Sequence, residues 1–167
     1  KISADAFQLF VKTPSRLLLE LESSSPLPRD ITTLQGLCNF THWLNGLGDS
    51  AALVLRALDA GKLPASLLAR ALELSEATVV QAIKQVSDNE YLVSWSETES
   101  MLQWLSLSVA FGVTPNDLQL LQEADYAEAS SYADWTALAS RFQAGLSAYQ
   151  TTALETVCST RLSAALS

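Results

Sequence analysis

Helix punctuation recurs along the whole chain and limits its fold more than any other feature. Thr13-Pro14 and Thr114-Pro115 each place a capping hydroxyl before a proline, Asp30 and Ser75 stand as further caps, and Gly48, Gly61 and Gly112 follow apolar runs as stops. Between these marks leucine and alanine dominate and alternating β-branched runs are missing, so the apolar period is 3.6 residues and not 2. The fold class that follows is all-α, an irregular multi-helix bundle of about eight to ten helices containing a helix-turn-helix-like hairpin. With 167 residues, 49% of them hydrophobic, the chain can bury one core or two small helical subunits packed side by side.

The marks assign the elements. A helix is expected from Pro14 to about Glu22, and Ser23-Ser24-Ser25-Pro26-Leu27-Pro28 reads as a linker, which divides residues 1–29 (N-terminal helices and linker) from a helical domain over 30–167. Asp30 opens a long helix with Leu34, Leu37, Phe40, Thr41, Trp43, Leu44 and Leu47 on one broad arc, and Gln35, Asn39, His42 and Asn45 opposite. A shorter helix starts at Asp49 or Ser50 and stops at Gly61. Two more, Pro64 to Glu73 and Glu76 to about Val86, are joined through Ser75. Tyr91-Leu92-Val93 is the one candidate extended piece. Ser94 or Ser96 starts a helix with Leu102, Leu105, Val109 and Phe111 whose apolar coverage points to central burial. Leu118, Leu120 and Leu121 define the helix after Pro115. Tyr126 to Ser131 is a loop, Ser131 caps a helix through Ala144 with Trp135, Leu138 and Phe142 on one face, and Ser147 starts a last one carrying Ala153, Leu154, Val157, Leu162 and Leu166.

Charge and composition exclude several functions. Eighteen acids against ten bases give a net charge of -8, which repels phosphate backbones and anionic membranes. No apolar run approaches the roughly 20 residues a membrane span needs, so no membrane insertion by this chain is expected. One histidine and two cysteines cannot supply a zinc site of three or four such ligands. Cys38 and Cys158 read as separate buried thiols. His42 would have to anchor any histidine-based catalysis, yet it lies on the polar arc and no G-x-S-x-G elbow accompanies it. Gly46-Leu47-Gly48-Asp49-Ser50-Ala51 matches the letters of a dinucleotide fingerprint but follows a helix where that motif needs a strand. Glu123, Asp125, Glu128 and Asp134 fit no calcium loop. Trp43, Trp95, Trp104 and Trp135 sit largely in helical stripes, where packing is their ordinary role. The Pro64 to Val86 hairpin has the form of a DNA reader, but Lys84 is the only base on its second helix. No catalytic, cofactor-binding or metal residue is assigned, and no nucleic-acid partner is expected.

From Ile31 onward the sequence resembles the large helical region of the A component of insecticidal Tc toxin complexes, the pore-forming, translocating subunit. Four stretches carry the resemblance: TTLQGLCNFTHWLNGLGDSAALVLRAL from Thr32 to Leu58, the Leu67 to Val86 hairpin, MLQWLSLSVAFGVTPNDLQLL from Met101 to Leu121, and the C-terminal stretch with Tyr132, Trp135, Ala144, Gly145, Leu146, Gln150, Arg161 and Ala164-Ala165-Leu166. The resemblance covers roughly four fifths of the chain, and its motifs are helical and mostly packing residues. It implies a segment of the outer helical shell around the central channel of a homopentamer, secreted or displayed on the bacterial surface. Its partners would be other regions of the same toxin polypeptide and a host-surface receptor, and the resemblance implies no catalytic residue. The alternative from the residues alone is an acidic helical protein-interaction module, and the remote one is a helix-turn-helix DNA-binding regulator.

Overall fold

The computed structural model describes residues 4–22, 26–123 and 135–148. Within them the chain is all-α: eight helices and one ladder of two-residue strands, in two compact units over residues 1–103 and 104–167.

In the first unit, α1 (Ala4–Lys12) buries Ala6, Leu9 and Phe10. The helix expected after Pro14 is a single 3-10 turn, Pro14–Arg16, and Thr13 makes no side-chain cap. Tertiary bonds replace the helical ones there. Leu17 is fully buried, its carbonyl accepts from Ser96 N at 3.1 Å, Leu19 N donates to Ser96 Oγ at 3.3 Å, and Arg16 Nη1 donates to Val93 O at 3.2 Å. A continued helix would turn these groups away from residues 93–96.

Helix α2 (Ile31–Gly46) starts where Asp30 predicts, with Asp30 Oδ1 accepting from Thr33 N at 2.7 Å. Its buried stripe is Thr33, Gly36, Phe40 and Leu44, narrower than the expected arc and rotated from it. The reason lies at Gly36, where the missing side chain leaves room for Leu17 and Trp95 to lie against the helix. The side of the helix that carries Gly36 is therefore the one covered. Leu34 is left 57% exposed, and Cys38, expected as a buried thiol, is exposed on the far side. Cys158 lies outside the described residues.

The Asp30 carboxyl is held below its ordinary value, chiefly by the backbone hydrogen bond from Thr33. A carboxylate with a depressed folded-state pKa contributes stability above its unfolded pKa and loses it as pH falls through the folded value. Asp30→Ala is therefore expected to melt at a lower temperature than the parent at neutral pH. That gap should close in strong acid, once pH has fallen through the lowered folded-state value, and Asp30→Asn, which keeps an accepting oxygen, should restore the cap without the pH dependence. Thermal melts across the acid range check both.

A 3-10 turn over Gly48–Ser50 leads into α3 (Ala51–Asp59), which buries Val54 and Leu58. Gly48 and Gly61 both take positive φ as stops. Strand β1 (Leu63–Pro64) pairs antiparallel with β2 (Tyr91–Leu92), in register Leu63 to Leu92 and Pro64 to Tyr91. The extended piece at 91–92 is thus present, and its partner was not foreseen because proline at 64 reads as a helix start. Between the strands stand α4 (Ala65–Leu72) and α5 (Glu76–Lys84), turned by Glu73 in the left-handed region, with Ser75 Oγ accepting from Thr78 N at 3.1 Å.

Helix α6 (Trp95–Phe111) opens on a reciprocal cap: Glu97 N donates to Ser94 Oγ, and Glu97 Oε2 accepts from Val93 N at 2.7 Å. Its buried positions include Trp95, Thr98, Met101, Leu105 and Ser108, a single stripe. Central burial is not what forms, since Leu107 and Val109 are 47% and 77% exposed. A helix buried all round needs neighbours on every side, and the stripe here follows one side only.

In the second unit, α6 stops at Gly112, and α7 (Pro115–Glu123) follows. Thr114 and Asp117 cap each other: Asp117 N donates to Thr114 Oγ1, while Asp117 Oδ2 accepts from Thr114 N and Oγ1 at 3.1 and 2.8 Å. Leu118 is buried and Leu120, expected with it, is 57% exposed. Residues 135–148 form α8, with Leu138 buried and Trp135 and Phe142 half-buried beside it. The helix expected to end at Ala144 runs on through Gly145 and Ser147, where a new helix was expected to start. Gly145 keeps ordinary helical φ and uses its missing side chain for close approach, lying against the Phe111 carbonyl and Gly112. Arg141 Nη1 reaches Asp117 Oδ1 at 2.8 Å, and the rings of Phe111 and Phe142 stand 5.6 Å apart.

Candidate functional site

The residues weighed for chemistry are dispersed. His42 is exposed on α2, and the Gly46 to Ala51 stretch is a helix end followed by a 3-10 turn, with no strand before it to aim a glycine loop at a phosphate. Among the described residues no three His, Cys, Asp or Glu side chains gather as a metal group. Of the acidic set, the Glu123 side chain and Asp125, Glu128 and Asp134 lie outside the described residues. Trp43 and Trp95 belong to an aromatic cluster: their rings are 5.2 Å apart, and Phe40 lies 5.3 Å from Trp95 and 4.8 Å from Phe10. No face of Trp95 is free to stack on a ligand, since the residue is 2% exposed.

The hairpin carries its own electrostatic answer. Lys84 lines a cleft of about 360 Å³ together with Glu76, Asp88 and Glu90. Three carboxylates around one ammonium give a local field that repels a phosphate chain, whatever the shape of the helix pair. The buried face of α5, Val79, Ala82 and Ile83, is spent on packing within its unit.

What remains is surface built for contact. A groove of about 470 Å³ runs between α1 and α2, lined by Phe7, Leu34, Leu37, Cys38, Thr41, His42 and Asn45, with no Asp, Glu, Lys or Arg. A second groove of about 690 Å³, between α1 and α3, is by contrast rimmed by Asp5, Lys12, Arg56 and Asp59. Sequence reasoning placed His42 and Asn45 opposite Leu34 and Leu37; the turn of α2 brings all four to one groove, because the buried stripe is centred on Gly36 and Phe40.

These features define an all-α packing unit with contact surfaces and no assembled reaction centre among the described residues. No family model and no curated protein matches the chain. Among solved structures it is similar to TcdA4 of Morganella morganii, determined by cryo-electron microscopy, with 30% identity and a TM-score of 0.63. The match covers 92% of this chain and 6% of TcdA4, so the chain spans a small fraction of that protein's length. The likeness is to a fragment of a Tc toxin subunit, and it extends over nearly the whole of the present sequence, including most of the N-terminal part that the sequence resemblance did not reach.

Proposed function

We propose that this chain is a structural segment of the outer helical shell of a Tc-type toxin A component, contributing to assembly, host-cell attachment and toxin translocation, with no catalysis of its own. The observation that carries the reading is the TcdA4 match, 30% identical across 92% of the chain. Sequence and backbone agree over the same stretch, which a generic helix bundle would not produce. In this role the segment acts within a secreted or surface-displayed homopentamer, and its partners are the other regions of the same polypeptide and a host-surface receptor. No described helix is long and apolar enough to cross a membrane.

A shell segment relies on the central channel to gather five copies. Residues 1–167 alone are therefore expected to remain at monomer or weak dimer by light scattering across a concentration range. A closed pentamer formed by this chain alone would place the oligomerising surface here and overturn the peripheral role. The carboxylates beside Lys84 lead to a further expectation, that duplex DNA is not shifted by the chain at moderate salt. Sequence-dependent micromolar binding in a mobility-shift assay would favour the regulator reading instead.

A further inference from the structure

We draw no further inference here: the strongest candidate, the groove between α1 and α2 lined by Phe7, Leu34, Leu37 and Cys38, carries nothing because nothing in the structure shows what covers it.

Discussion

Phe40→Ala is expected to destabilise the first unit by about 3–5 kcal/mol, the range for deleting a buried large aromatic side chain. Phe40 is fully buried and its ring meets Phe10 edge-on at 4.8 Å and Trp95 edge-on at 5.3 Å, with Trp43 tilted at 6.2 Å. Removal therefore takes away apolar area from water-free surroundings and two edge-to-face pairs worth about 0.5–1.5 kcal/mol each. It also leaves a cavity that the rigid neighbours cannot close. Urea unfolding followed by the fluorescence of Trp43 and Trp95 would measure it. A loss below about 1 kcal/mol would mean that this cluster is not the core of residues 1–103.

In the second unit the corresponding expectation concerns a residue with no side chain. Gly145→Ala drives its new methyl into the Phe111 carbonyl, and no rotamer of alanine avoids backbone. Overpacking of this kind costs about 1–3 kcal/mol and sometimes more, here set against the gain of up to about 1 kcal/mol that alanine brings to a helix. Gly46→Ala is the control. Nothing lies within 4 Å of the position its methyl would take, so only the helical gain applies. Amide exchange should show protection lost over the described residues of 104–148 in the first variant and retained in the second. Equal behaviour of the two would sink the close-approach account.

Which parts of this arrangement could be read from residues alone follows from how local their causes are. Caps and stops are local: Asp30, Ser75, Ser94, Thr114, Gly48, Gly61 and Gly112 all act within four residues of themselves, and each ends or begins an element where the sequence places it. Thr13-Pro14 carries the same letters as Thr114-Pro115 and fails as a helix start, because Leu17 and Arg16 are claimed by residues near 93–96. The helix expected to end at Ala144 runs on past it for a reason of the same kind, the close approach of Gly145 to the Phe111 carbonyl. Orientation was the least legible property: the apolar arc of α2 is broad, and only the presence of Leu17 and Trp95 against Gly36 decides which part of it is covered. The uncharged groove between α1 and α2 follows from that choice and could not be drawn before it. The toxin likeness, in contrast, was carried by mostly packing residues spread over four stretches, and the TcdA4 match covers 92% of the chain.

The bonds that tie Arg16, Leu17 and Leu19 to Val93 and Ser96 bridge 77 or more positions of chain. Closing a loop of that length costs roughly 2.5 kcal/mol more than closing one of a few residues, since the entropic term grows as about 0.9 kcal/mol times the logarithm of length. The α4–α5 hairpin, by comparison, joins residues a dozen apart and needs no such closure. Order of assembly follows: the hairpin and its β1–β2 ladder form early, and the strap from Arg16 to Leu19 closes over residues 93–96 late. During synthesis this delay is unavoidable, because the strap must wait for some eighty further residues before Val93 and Ser96 exist. Until then Phe10 and Leu17 have only Phe40 and Gly36 of α2 to lie against, and Trp95 completes the cluster last.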